Sequence, residues 1–91
     1  MLWVISYDVA DAKRRNKVSK LLEGYGRRAQ YSVFECDIDD QKCAILEKRL
    51  QREIDPAEDD IRFYPLNGAD LQRVRVLGKA EIQYKKGFYI T

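Results

Sequence analysis

Ninety-one residues, 45% of them hydrophobic and 35% charged, are enough for one folded domain and too few for two. The formal net charge of +2 does not by itself indicate a nucleic-acid-binding protein. No apolar run is long enough to cross a membrane, and the first residues lack the pattern of a secretory signal, so we expect a cytoplasmic protein that does not associate with membranes.

The first predicted elements are a strand and a helix. Residues 2–7 are apolar, β-branched and aromatic, as is typical of a central strand. Asp11 can then accept hydrogen bonds from the free N–H groups that open a helix over 12–25. One face of this helix carries apolar residues at helical spacing, namely Val18, Leu21, Leu22 and Tyr25.

The second half of the chain predicts a strand, a helix and further strands. A strand over 29–38 has one face made of Ser32, Phe34, Cys36 and Ile38. The acidic pair Asp39 and Asp40 favours a helix from there to about residue 54, whose apolar stripe is Cys43, Leu46 and Leu50. Strands are also predicted at 61–66 and, after an Asn67-Gly68 turn, at 73–77; the tail can add one more.

These elements predict a single α+β domain over 1–91. The arrangement is ferredoxin-like, β-α-β-β-α-β with an extra C-terminal strand, and two helices cover one face of an antiparallel sheet. The other face is expected to expose Trp3, Tyr31, Val33 and Tyr64. Because a chain this short builds a small core, we expect a homodimer packed sheet to sheet, with the tail 79–91 in contact with the second copy or another partner.

The absence of histidine limits the possible chemistry, because it removes imidazole as a metal ligand or general base. Cys36 and Cys43 fit no metal or redox spacing and are expected to be reduced and partly buried. Catalysis would therefore depend on carboxylates, a tyrosine, a lysine or a metal-bound water.

Asp8 is the first candidate for such chemistry. It follows a buried strand, and its carboxylate could bind Mg²⁺ or Mn²⁺, which prefer oxygen ligands. One carboxylate is a poor site, but a nearby two-fold axis would supply two. The alternative is that Asp8 only caps a helix or ends the strand. Asp11 and the acidic residues 37–40 are expected to be caps, and the acidic turn 55–60 to be merely solvated.

A basic cluster is the second candidate. Its members, which follow closely on Asp8 or join it from the next turn, are Lys13, Arg14, Arg15, Lys17, Arg27 and Arg28. These cations could neutralise phosphates, or they could form an ordinary solvated face. Tyr7, Tyr31 and Phe34 could stack on bases, although their strand periodicity favours the core.

Two motifs in the first 35 residues resemble those of one protein family. Residues 6–11 (SYDVAD) with 13–18 (KRRNKV), and residues 25–26 with 30–35 (QYSVFE), are similar to the two signatures of the CRISPR-associated adaptation nuclease family Cas-two. The resemblance implies a ferredoxin-like homodimer with Mg²⁺ bound between the Asp8 residues of both chains. It also implies that Arg14 and Arg15 contact the phosphate backbone, and that Tyr7 and Phe34 play supporting roles.

Several functions stay open under this resemblance. Members of the family are described as metal-dependent endonucleases of single-stranded RNA or double-stranded DNA. They also bridge two dimers of the CRISPR integrase while new spacers are acquired. The chain is therefore expected to be a metal-dependent nuclease that also bridges the integrase. The alternatives are a non-catalytic scaffold that only binds duplex DNA and the integrase, or a ribonuclease toxin of similar fold.

Overall fold

The computed structural model describes residues 1–78, so the predicted strand and partner contact of residues 79–91 lie outside the described part of the chain. Its elements are β1 (Leu2–Asp8), α1 (Ala12–Glu23), β2 (Arg27–Gln30), β3 (Val33–Asp37), α2 (Asp40–Gln51), β4 (Asp60–Leu66) and α3 (Gly68–Gln72). The four strands form one antiparallel sheet in the order β2-β3-β1-β4. The predicted ferredoxin-like β-α-β-β-α-β arrangement is therefore confirmed.

Two of the predicted strands differ from the structure. The segment 29–38 was predicted as one strand, but the chain turns at Tyr31 and Ser32, so that β2 and β3 form a hairpin. The prediction of a strand at 73–77 is wrong. Asn67 does not make a hairpin turn there; its side chain accepts a hydrogen bond from the Asp70 N–H at 2.8 Å and starts α3 instead. The fourth strand of the sheet thus comes from the hairpin.

The core lies between the sheet and the two long helices. Val18 and Leu22 of α1 are fully buried, and Leu46 and Leu50 of α2 pack with them in one cluster. From the sheet this cluster includes Ile5, Tyr7, Phe34 and Cys36. The predicted helical stripes and the predicted inward face of β3 are therefore confirmed. Among residues 1–78, no helix is long and apolar enough to span a bilayer.

The opposite face of the sheet is only partly covered. Strand alternation places Val4 on this face, with Glu35 and Tyr64 as its register partners on β3 and β4. The prediction that Trp3 also lies there is wrong. Trp3 shares the inward side of β1 with Ile5, packs against the core cluster, and has its ring centroid 6.2 Å from that of Phe63.

Gly26 marks a close approach between the end of α1 and β3. A Cβ at this position would lie 2.5 Å from the sulfur and 2.8 Å from the Cα of Cys36, and closer still to the Glu35 carbonyl oxygen. We expect Gly26→Ala to lower the free energy of unfolding by about 1–3 kcal/mol, because the β3 backbone must move. Denaturant unfolding of purified protein measures this loss.

Gly24→Ala is the matched control for this prediction. Its Cβ would lie 3.4 Å from the Leu21 carbonyl oxygen, an ordinary contact, and its backbone is helical. The substitution should leave stability unchanged or raise it by about 0.5 kcal/mol, since alanine restricts the unfolded chain. Equal destabilisation by both substitutions would contradict the close approach as the cause.

Candidate functional site

Asp8 lies at the C-terminal end of β1, on the partly covered face of the sheet, and is exposed. Its register partner on β4 is Asp60, so two carboxylates share this edge. Asp60 accepts a hydrogen bond from Arg62 Nε at 3.0 Å. No hydrogen bond or ion pair within residues 1–78 engages the Asp8 carboxylate. The helix cap is supplied by Asp11, whose carboxylate accepts from the Arg14 N–H at 2.9 Å, so Asp8 does not fill that role.

The donor chemistry of this edge suits a hard divalent cation, because carboxylate oxygens are the ligands that Mg²⁺ and Mn²⁺ prefer. One described chain nevertheless supplies too few of them: among residues 1–78 no group of three or more histidine, cysteine, aspartate or glutamate side chains converges. The remaining positions of an octahedral ion would have to be filled by water, phosphate or a second copy of the chain. Asp8 and Asp60 alone therefore do not complete a metal site within the described part of one chain.

Asp59 fixes the loops on either side of this edge. Its side chain is completely shielded from solvent, and it accepts hydrogen bonds from the Ala10 N–H at 3.0 Å, the Asp55 N–H at 2.8 Å and Arg14 Nε at 2.9 Å. The Arg14 guanidinium, followed by these backbone donors, holds the pKa of the Asp59 carboxyl far below its usual range. The acidic turn was predicted to be only solvated, and for Asp59 that prediction is wrong.

Arg14 and Arg15, both predicted to contact phosphate, are held by the protein itself. Arg14 pairs with Asp59 and, at 3.4 Å, with Glu58, and the hydrogen bond to Asp59 raises the pKa of its guanidinium. Arg15 donates to the Val9 carbonyl oxygen at 2.9 Å. Both side chains are half-buried, so their first role in the folded chain is to hold the loop between β1 and α1.

Arg28 is held in a similar way beside the three aromatic candidates. It donates to the Tyr31 carbonyl, to the Ser19 hydroxyl and, at 3.3 Å, to the Tyr7 hydroxyl. Its guanidinium lies 4.8 Å from the centroid of the Phe34 ring. Arg28 therefore joins the start of the sheet hairpin to the middle of α1.

The aromatic candidates divide between core and surface. Tyr7 and Phe34 are buried, with ring centroids 6.3 Å apart, which leaves no open face for a base. Tyr31, in the turn between β2 and β3, is 80% exposed. Their supporting roles, and the nucleic-acid contacts of all six basic residues, stay predictions; the exposed members of that set are Lys13, Lys17, Arg27 and Arg28.

The two cysteines do not contribute reactive thiolates. Both are free and buried, as predicted. Burial raises the pKa of the Cys36 thiol to about 11, with a smaller contribution from nearby Cys43, whose own pKa burial also raises. Protonated, shielded thiols are packing groups in this core rather than nucleophiles.

Comparisons with known proteins agree with this fold. The family model described as CRISPR associated protein Cas2 matches residues 1–74. The chain is 46% identical over 90 residues to CRISPR-associated endoribonuclease Cas2 3 of Synechocystis sp., covering 99% of this chain and 98% of the relative. It is 38% identical to Streptococcus pyogenes Cas2 (crystal structure at pH 6.5), with a TM-score of 0.77 and coverage of 86% and 100%. A chain of a partial Cas6-RT-Cas1–Cas2 complex is 32% identical, with a TM-score of 0.74 and coverage of 90% and 97%.

The Asp59 network predicts an acid-dependent loss of stability. Because the folded-state pKa of Asp59 lies below that of an unfolded aspartate, about 4, its stabilisation is complete above that pH and is lost as the pH falls through the folded-state pKa. Asp59→Asn should therefore be less stable than wild type at pH 7 and lose less stability on acidification. Denaturant unfolding between pH 7 and pH 2 measures both effects.

Glu58→Gln provides the matched control for the buried pair. Glu58 also lies next to Arg14, but its side chain is 59% exposed, so solvent already screens its charge. We expect this variant to unfold at nearly the wild-type denaturant concentration at every pH. A similar loss in both variants would show that Asp59 acts only through general surface charge.

Proposed function

We propose that this chain, which belongs to the CRISPR-associated Cas2 family, is a homodimeric, metal-dependent endonuclease of RNA or DNA that serves in CRISPR adaptation. The observation that supports it most directly is the edge of the sheet where exposed Asp8 stands in register with Asp60. Relatives named as endoribonuclease and endonuclease give the reaction class. We further propose that the Asp8 residues of two copies share one Mg²⁺.

The exposed sheet face supports the proposed dimer. That face carries Val4 and Val33, which are half-buried, and Tyr64, which is 47% exposed. Covering such a surface with a second copy adds to the small core of a short chain. Asp8 lies on the same face, so a two-fold axis near this end of β1 would bring two Asp8 carboxylates together and complete the half-site of one chain.

The chemistry of such a site divides between the ion and the protein. A bound Mg²⁺ would supply positive charge for the phosphodiester and make a coordinated water more acidic. Asp8 would hold the ion, and Asp59 with Arg14 would keep the flanking loops in place. The Tyr7 hydroxyl is not placed to act as a base, since it is buried and hydrogen-bonded to Tyr31 and Arg28.

A non-catalytic scaffold is the second candidate function. The likeness to a chain of the partial Cas6-RT-Cas1–Cas2 complex favours it, because that neighbour takes part in an assembly that contains Cas1. The incomplete carboxylate set of a single chain is compatible with it as well. In this role the dimer would hold duplex DNA between integrase subunits, and Asp8 would be dispensable.

Cleavage of labelled RNA and duplex DNA separates the two functions. For a nuclease, we expect activity with Mg²⁺ that EDTA removes and that Asp8→Asn lowers by at least about 100-fold, because the amide is a poor ligand for a hard cation. Glu58→Gln, which changes a nearby exposed carboxylate outside the site, should retain wild-type activity. Wild-type protein that binds duplex DNA without cutting either substrate would instead identify the scaffold.

The dimer has its own test. Light scattering of the wild type at micromolar concentration should give twice the 10.7 kDa mass of one chain. Tyr64→Lys should shift the mass toward one chain, because it places a charge in the proposed interface. Ile45→Lys is the matched control: Ile45 is also 47% exposed but lies on α2, away from the sheet. A wild-type mass of one chain would rule out the shared metal site.

A further inference from the structure

We propose that the groove between α1 and α2 is a second phosphate-binding surface, which holds the backbone of duplex DNA on the helical side of the molecule. Its lining consists of Lys17, Lys20, Leu21, Arg49, Arg52 and Glu53. The inference rests on the proposed nucleic-acid function. It assigns the backbone to a surface on the helices, whereas the family motifs point to the loop that follows Asp8.

The groove brings together cations that form no ion pair within residues 1–78. Arg14, Arg28 and Arg62 each form an ion pair with a carboxylate. The four cations of the groove differ, since none of them lies within ion-pair distance of a carboxylate in residues 1–78, although Glu53 belongs to the same lining. Four positive charges against one negative charge leave this groove strongly positive, while the whole chain carries only +2.

One of these cations is already oriented. Arg49 Nη1 donates a hydrogen bond to the Tyr25 hydroxyl at 2.9 Å, and the guanidinium lies 5.7 Å from the centroid of the Tyr25 ring. A guanidinium held in this way loses less conformational freedom when it binds a ligand. Its other N–H groups can donate to phosphate oxygens, with which arginine makes short, charge-assisted hydrogen bonds.

The groove also continues the basic cluster that begins beside Asp8. Lys13, Lys17 and Lys20 are exposed and follow one another at i, i+4 and i+7 along α1, so they form a single stripe. The stripe is about 10 Å long at 1.5 Å per residue. It leads from the loop after β1 to the groove, which gives a backbone a continuous positive path.

The lining indicates a duplex rather than a single strand. Proteins that hold single strands stack bases on aromatic side chains, but the groove lining contains none. The nearest aromatic contact, Tyr25, is half-buried and bonded to Arg49. A site of cations without stacking surfaces reads only the phosphate backbone. In the proposed dimer the sheets face each other, so both grooves remain open to solvent.

The test is the salt dependence of duplex DNA binding. Log affinity falls as log salt rises, and each phosphate contact makes this negative slope steeper by about 0.9. We test two double variants, Lys17→Gln with Lys20→Gln and, separately, Arg49→Gln with Arg52→Gln. Each should make the slope less steep by about 2 and lower the affinity about tenfold. The lysine pair is decisive, because its exposed side chains make no hydrogen bond that the fold needs; thermal unfolding verifies that each variant is folded.

Lys42→Gln with Lys48→Gln is the matched control, since both lysines lie on α2, outside the groove lining, and the charge change is equal. An equal loss of affinity in the control would overturn the proposal in favour of general charge. An unchanged slope in both groove variants, with wild-type binding intact, would overturn it and leave the proposed function standing. Wild-type protein that fails to bind duplex DNA would overturn the groove proposal and the scaffold function, whereas the proposed nuclease would still be decided by the RNA cleavage test. Groove variants that keep DNA affinity but no longer capture Cas1 would mark a protein-docking surface and overturn it too.

Discussion

The buried carboxylate of Asp59 is the interaction on which the geometry of the candidate site depends. A shielded negative charge is tolerated only when donors surround it, and here two backbone N–H groups and the Arg14 guanidinium do so. These donors come from the loop after β1, the start of α1 and the turn before β4. The pairing of β1 with β4 aligns the strand ends that carry Asp8 and Asp60, and the Asp59 side chain fixes the loops that flank them.

Contacts within the chain divide its basic residues into two groups. Arg14, Arg15 and Arg28 bind carboxylates, carbonyls or hydroxyls of the same chain, so their charge is partly neutralised within the fold. The four cations that line the groove between α1 and α2 form no ion pair with a carboxylate among residues 1–78, although Arg49 donates a hydrogen bond to the Tyr25 hydroxyl. A count of cations in the sequence cannot separate these groups, since the difference lies in contacts made only in the folded chain; the pair of Arg14 and Asp59, for example, joins residues 45 positions apart.

The same distinction between local and long-range information explains what the sequence could predict. The stripes of α1 and α2, the Asp11 cap and the inward face of β3 were confirmed, because each depends on residues a few positions apart. Trp3 was placed on the wrong face, although the strand alternation that puts it on the same side as Ile5 is local. Asp59 was missed because its partners, Ala10 and Arg14, adjoin it only in the folded chain, and a run of acidic residues normally indicates a solvated turn.

The proposed metal site and the proposed DNA-binding groove lie on opposite sides of the sheet. Asp8 and the apolar patch around Val4 lie on one face, while the groove cations Lys20 and Arg49 lie on the helices that cover the other. A duplex held along the helices therefore does not depend on any ligand of the proposed metal. Under these two proposals, loss of Asp8 would remove cleavage and leave backbone binding in place, because the proposed metal site and the proposed groove share no side chain. The proposed nuclease and scaffold functions are therefore compatible within one fold, because a chain without Asp8 would still have the groove between α1 and α2.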